Sequence, residues 1–477
     1  MKNLTILLFL LSSLWAGAQT VTVSEAMPLR NDAAYHLIGD LKGNILLLRD
    51  RVTEFEVQSF DENMRKVWEK EIFLDRKKPS IIGVLPTRDD FGIVYTFRNR
   101  GDLVLKAHRY DPAANLIDSA TVKNYGELFY TPRIEVIRSE DKTKLLTFYY
   151  ERQNEFNVLV FDLNTMEKMW EKKFVPEDVQ YNRDFQQMLV DNAGNMYLIL
   201  ERNNRRFTDK PHQFKIIAYG PSTDLLTRQF DISMGDYLTY DVLFSYDNLN
   251  KKLVAGGLFS LETRGRAEGI FYLNTDPLYP ADKTLTFHPF EEEMVNTLLD
   301  KTKKKGNAIP EVSIREIVLR RDGGILLFNE LNKKFERRTN TSVSVYDRGG
   351  LNSVDYYYDD VFVIAVHPDG AIHWEKVMHK KQFSQDDDAA FSSYFLVKTP
   401  TALRLIFNDE IQYDNTVSEY VLKANGSLDR NAVLSTADKQ LRLRFRDAVQ
   451  IGPNAIVVPS ERRSRLKLVK IVFDKNI

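Results

Sequence analysis

Two families of tight turns run through the chain in step, and together they leave few folds open. The first lies at residues 40–44, 88–92, 139–142, 191–195, 246–250, 321–324, 399–401 and 452–454, each rich in Gly, Asn, Asp, Ser or Pro and flanked by β-like apolar runs. The second lies at 60–63, 110–113, 161–164, 219–222, 274–277, 367–370, 423–426 and 473–476. The first family recurs about every 59 residues, longer than the ~40–50 of compact propeller repeats. Each repeat therefore holds four strands, A to D, with tight turns between A and B and between C and D. Period-2 alternation is visible in strand C of the first repeat, where Phe55, Val57 and Ser59 oppose Glu54, Glu56 and Gln58. Eight such repeats predict an all-β, eight-bladed β-propeller, in which radial repetition protects sheet edges. A seven-bladed ring with one extra hairpin unit is the alternative.

The ends bear on that count. The last C–D turn, 473–476, coincides with the end of the sequence, so the eighth repeat lacks a fourth strand. Residues 20–24 (Thr-Val-Thr-Val-Ser) alternate like a strand and precede the first A strand. Pairing of this segment with the eighth repeat is expected to close the last blade, and residues 19–477 are read as one propeller domain.

Composition narrows the class. The chain has 477 residues, 67 acids against 66 bases, and no cysteine. The near balance argues against a dedicated nucleic-acid binder. Lack of cysteine excludes disulfides, thiolate metal sites, Fe–S clusters and cysteine nucleophiles together. Residues 1–18 read as a signal peptide: Lys2 as the positive start, 4–14 as the apolar stretch, and Ala16-Gly17-Ala18 as the cleavage site, with cutting after Ala18. Gln19 follows, not cysteine, so lipoprotein-type anchoring is not expected. No later stretch approaches about twenty uncharged apolar residues, so no transmembrane segment is expected. The address implied is a bacterial periplasm or cell surface.

Three tryptophans share one tripeptide, Trp68-Glu69-Lys70, Trp170-Glu171-Lys172 and Trp374-Glu375-Lys376, each shortly after the Asp of a C–D turn. This resembles the tryptophan-bearing repeat of the quinoprotein-like eight-bladed propellers. That superfamily includes pyrroloquinoline-quinone dehydrogenases and a non-catalytic outer-membrane assembly lipoprotein. The resemblance covers three of eight blades; the Thr-Gly before the tryptophan and the vicinal cysteines of the alcohol dehydrogenases are missing. It therefore implies the fold and not the quinone, and no cofactor is expected. In the plain reading, these tryptophans pack blade against blade.

Two segments interrupt the repeat. Residues 290–305 read as a helical insert, with acids in the first turn, lysines in the last and Gly306 as a stop. Residues 333–360 read as a long loop of blade six ending in Tyr356-Tyr357-Tyr358-Asp359-Asp360; long loops often carry function, and a surface hairpin is the other reading.

The usual catalytic motifs are missing: no Gly-x-Ser-x-Gly elbow, phosphate loop or His-Glu-x-x-His helix occurs. His367, His373 and His379 do not have metal-site spacing, and Asp386-Asp387-Asp388 reads as a solvated acidic loop. One pattern stands out. Arginines follow strand B in most repeats: Arg49 and Arg51, Arg98 and Arg100, Arg152, Arg202 with Arg205 and Arg206, Arg264 and Arg266, Arg462 and Arg463, with Arg337 and Arg338 further out. B–C loops of a propeller open on one face, so these side chains, with Tyr357 and Asp359, are candidates for an anion-binding ring of forked donors. The alternative is a ladder of structural ion pairs, since acids precede arginines at Asp50-Arg51, Glu151-Arg152, Glu201-Arg202, Glu336-Arg337 and Glu461-Arg462. The functional expectation is an exported, monomeric, non-catalytic scaffold for an envelope protein or anionic ligand. The alternative is an enzyme acting on an acidic saccharide through Asp347, Asp355, Asp359 or Asp360.

Overall fold

The computed structural model describes residues 19–75, 78–128, 130–206, 210–261, 265–299, 306–338, 352–411, 416–437 and 439–473. The signal-peptide segment, Arg264, Asp347, the lysines of 301–305 and the turn residues 474–476 lie outside these. Among the described residues no helix is long and apolar enough to cross a membrane.

Eight antiparallel sheets form the fold, an eight-bladed β-propeller. Blade 1, for example, consists of strand A (Ala34–Leu41), B (Asn44–Asp50), C (Phe55–Phe60) and D (Lys66–Ile72). The turn chemistry repeats from blade to blade. In the C–D turns Asp61 accepts the backbone N–H of Asn63 and Arg65 at 2.9 and 2.8 Å. Asp111 accepts those of Ala113 and Asn115 at the same two distances. An aspartate in that place turns the chain by satisfying amides the ladder leaves unpaired.

Strand position decides side-chain pattern. Strand B of blade 1 carries Ile45, Leu46, Leu47 and Leu48, all buried, and Ile45 and Leu47 pack in one cluster with Val457, Leu466 and Leu468 of blade 8. The outer strand D, Lys66–Ile72, keeps polar residues exposed between partly covered ones. The alternation expected for Phe55–Phe60 gives way along this strand, where Gln58 and Ser59 are both buried. Close packing also fixes Gly257 in blade 5, where an added Cβ would lie 2.0 Å from the Phe271 ring.

The chain forms two compact units. One comprises residues 1–51, 56–71 and 382–477 and holds blades 1, 7 and 8; the other comprises 52–55 and 72–381 and holds blades 2 to 6. In the first, strand Thr20–Val23 pairs antiparallel with Arg465–Val472, with Thr20 opposite Val472 and Val23 opposite Val469. Ser24 continues the junction, its N–H reaching Leu468 O at 2.9 Å and its hydroxyl accepting the Leu468 N–H at 2.8 Å. The N-terminal strand thus completes the last blade, as its alternation predicted.

In the second unit the insert differs from expectation in length. Its helix spans Glu292–Leu298, and Leu299 is already extended. Met294, Val295 and Leu298 dock with Phe290 into the core of blades 5 and 6, and that apolar stripe is what holds so short a helix. The segment 333–360, read as a loop, is strand at both ends: Ile325–Arg338 pairs with Asn352–Val366, Lys333 facing Tyr357 and Glu336 facing Val354. Residues 339–351 are outside the described residues.

Trp170 is buried in the cluster between blades 3 and 4. Its indole N–H donates to Gly194 O of the next blade at 2.9 Å, and its ring meets Tyr219 edge-on at 4.9 Å. Trp68 and Trp374 are half-buried. For Trp170 the packing reading is therefore direct.

Two outcomes are expected. Deleting residues 19–28 exposes the edge of Arg465–Val472, and the truncated protein should aggregate in size-exclusion chromatography; an unchanged monomer with unchanged melting would contradict the closure role. Trp170→Ala removes a buried aromatic and an inter-blade hydrogen bond, and should cost about 3–5 kcal/mol in denaturant unfolding.

Candidate functional site

In an antiparallel blade, B–C turns and D–A connections emerge at the same end. In the first unit these segments gather an arginine cluster. The connection from blade 7 to blade 8 reads Leu441-Arg442-Leu443-Arg444-Phe445-Arg446. Its alternation sends Leu441, Leu443 and Phe445 inward, each at most 2% exposed. Short strand-like bonding along blade 8 fixes that register: Arg444 N–H donates to Pro459 O at 2.8 Å and Glu461 N–H to Arg442 O at 3.0 Å. Arg442 and Arg444 are consequently held on the opposite, solvent side.

There they line a pocket of about 750 Å³ with Arg462 and Arg463 of the blade 8 B–C turn, beside Phe391, Ile411, Leu441, Asp387 and Glu461. The Arg442 guanidinium lies 3.8 Å from the centre of the Phe391 ring, and its Nη2 is 3.5 Å from Asp387. Burial holds the Arg442 pKa below its ordinary value, against the attraction of Asp387 and Glu461. Arg444 is anchored more firmly, with Nε 2.5 Å from Asp447 and Nη1 2.7 Å from Glu461. Burial opposes its charge, but Tyr35, Asp447 and Glu461 more than offset this and raise its pKa. Arg444 is thus a fixed wall of the pocket, while Arg442 has one long carboxylate contact and a stacked face. Such an arrangement can receive an anion, with fixed donors beside an apolar strip.

The arginines singled out from sequence divide among several roles. Arg49 is buried and forked onto Asp32, Nε to Oδ2 at 2.6 Å and Nη2 to Oδ1 at 2.9 Å, with Nη2 also donating to Pro28 O. Arg51 lies 3.4 Å from Asp32 and 3.2 Å from Glu56. Arg98 donates to the carbonyls of Gly101 and Leu128 and to Thr131 Oγ1. Arg100 occupies the left-handed region of its turn, with φ +52°. Arg152 is exposed and 3.5 Å from Glu155. Arg202 stands 3.8 Å from Asp184, in a small pocket with Arg183 and Arg205. Arg206 donates to Leu261 O at 2.8 Å, and Arg266 is half-buried. Of the set, Arg462 is the one in the pocket of the first unit; Arg463 joins it.

Tyr357 and Asp359 line a separate pocket of about 390 Å³ in the second unit, with Leu299, Leu331, Lys333 and Phe335. The proposed acid–base carboxylates beside them are engaged: Asp355 with Arg337 at 2.6 Å, Asp360 with His379 at 3.0 Å. Lys380 and Glu330 form a buried pair at 2.7 Å, and burial lowers the lysine pKa. His367 and His373, on either side of the C–D turn of blade 6, face each other with ring centres 4.5 Å apart. Asp387 of the acidic triplet is half-buried and lines the arginine pocket.

Sequence reasoning missed Arg442 and Arg444. Their signal was the strict alternation of arginine with Leu441, Leu443 and Phe445, placed in a connection rather than a repeated strand.

No family model and no curated protein matches the chain. Solved structures with a similar course include dipeptidyl peptidase 4 of Porphyromonas gingivalis, at 9% identity over 90% of this chain and 56% of that one, TM-score 0.46. A dihydro-heme d1 dehydrogenase matches at 10% identity over 96% of this chain and 73% of that one, TM-score 0.40. The β-propeller domain of the Trilobed protease from Pyrococcus furiosus matches at 10% identity over 84% of this chain and 98% of that one, TM-score 0.36. The chain spans just over half the length of the dipeptidyl peptidase. At these identities the likeness concerns the fold alone.

The ion pairs predict a stability effect. Arg49→Met leaves the Asp32 carboxylate, 3% exposed, with only the longer Arg51 ion pair among the described residues. The variant should lose about 3 kcal/mol in denaturant unfolding. A change within a few tenths would mean that Asp32 does not depend on this fork.

Proposed function

We propose that this protein is an exported, monomeric propeller that binds an anionic group without transforming it, in the periplasm or at the surface of a bacterium. The observation that carries the reading is the convergence of Arg442, Arg444, Arg462 and Arg463 on one pocket. The formal charge of the whole chain is −1, so this positive cluster is local and not a by-product of a basic composition. Guanidinium forks favour carboxylate and phosphate oxygens, and the strip of Ala390, Phe391, Ile411 and Leu441 favours a ligand with an apolar face next to its charge. Engagement of Asp355 and Asp360 in ion pairs supports binding over acid–base hydrolysis. Export is supported by the pattern of residues 1–18 and by a cysteine-free chain. Kinship with the quinoprotein-like propellers is supported by the three tryptophan tripeptides, without the quinone.

The test is calorimetric titration of the chain from residue 19 with D-galacturonate, inorganic phosphate and D-galactose. An anion should bind, galactose should not, and added salt should weaken binding, since screening is felt within about 10 Å at 0.1 M. Arg442→Gln combined with Arg463→Asn should remove binding and leave melting nearly unchanged; asparagine suits the positive φ (+49°) of residue 463. Equal binding of galactose, or indifference to the double substitution, would refute the reading.

A further inference from the structure

A second basic pocket adjoins the first. It measures about 380 Å³ and is lined by Arg30, Arg462, Arg463, Arg465 and Lys467 with Ala26, Gln440 and Ser460. Five of these eight residues are cationic, and no acid is among the described residues lining it. Arg30, Arg463 and Arg465 enter no ion pair among the described residues. Lys467 donates to the Lys439 carbonyl, which leaves its charge without a counter-ion there.

A structural ladder requires both signs, as Arg49 and Arg51 show around Asp32. Like charges around one small cavity repel one another, and those of Arg30, Arg463, Arg465 and Lys467 have no counter-ion among the described residues. Their placement is also firmly set. Arg465 and Lys467 belong to the strand that the N-terminal segment covers, and Arg30 follows Met27–Pro28, which pairs with Arg465 and Leu466. Leu29 N–H bonds Ser464 O at 3.0 Å, and Arg49 grips Pro28 O. Both pockets share Arg462 and Arg463, so they are two lobes of one site around the blade 8 turn.

We infer that the ligand carries at least two anionic groups on one molecule, one for each lobe, and that it is an acidic oligosaccharide. This deepens the anion-binding reading and rests on it. The edge of strand Arg465–Val472 is already paired with Thr20–Val23 and Met27–Pro28, so a peptide cannot pair with that strand beside Arg465 and Lys467. A uronate chain needs no such edge. Its regularly placed carboxylates meet the guanidinium groups, and the C–H faces of its rings meet the apolar strip of the larger lobe.

The experiment compares D-galacturonate, tri-galacturonate and a tetra-glutamate peptide on the wild type and on Arg30→Gln/Arg465→Gln, by calorimetry. Both substituted side chains are exposed, and melting curves confirm that the variant folds. In the wild type the trimer should bind at least about tenfold tighter than the monomer, because the second lobe adds an intramolecular contact. The variant should lose that gain and keep its affinity for the monomer. A trimer no tighter than a binding monomer, or a gain that survives in the variant, overturns the two-lobe inference and leaves the anion-binding reading standing. Tetra-glutamate binding as tightly as tri-galacturonate overturns the saccharide assignment. If neither galacturonate form binds the wild type while inorganic phosphate does, the saccharide inference fails alone; if phosphate does not bind either, the anion-binding reading fails with it.

Discussion

The pairing of Thr20–Val23 with Arg465–Val472 is the contact on which the candidate site depends. It supplies the strand the last blade lacks, and it also sets the path of everything that follows. The chain leaves the closing strand through Ser24, bonds again at Met27–Pro28, and enters blade 1 past Arg30 and Asp32. The turn of blade 8 that carries Arg462, Arg463 and Arg465 is therefore held from within its hairpin and from the segment laid beside it. An arginine side chain is long and loses much rotamer freedom when fixed. A cluster of them is useful for recognition only where the backbone beneath is rigid, and here the closure provides that rigidity.

The arginines of this chain follow two designs. Arg49 and Arg51 meet Asp32 at short range and serve the fold, because a buried acid without its partner is costly, while Arg444 is held in the pocket wall by the partly exposed Asp447 and Glu461. Arg30, Arg463 and Arg465 meet none among the described residues. The first group assists the second: Arg49 holds Pro28, and Pro28 leads to Arg30. Arg442 lies between the designs, with a distant acid, an aromatic face and a pKa pulled down by burial.

Much of the fold was legible in the sequence because its punctuation is local chemistry. An aspartate that caps a turn acts on amides two to four residues away, as at Asp61 and Asp111, and needs no tertiary information. The closing strand was legible from its alternation. The limits of the insert were not, since docking of Met294, Val295 and Leu298, not propensity, ends the helix at Leu298. Of the residues lining the candidate site, Arg462 and Arg463 were legible as arginines after strand B, and Arg30, Arg442, Arg444 and Arg465 were not. Whether an arginine is spent on a neighbour or left for a ligand depends on where distant acids come to lie; Asp32, seventeen residues from Arg49, decides that arginine's role. Arg30 belongs to the site only because the chain folds back along the last blade.

The segment from Leu441 to Arg446 separates two tasks by residue parity. Leu441, Leu443 and Phe445 are locked in the core, and Arg442 and Arg444 face the pocket. Substitutions at Arg442 can thus alter what the pocket accepts without touching the side chains that set the register. Such a segment behaves as an exchangeable cassette: new head groups can be written onto an unchanged apolar spine, and ligand preference can drift while the propeller stays the same.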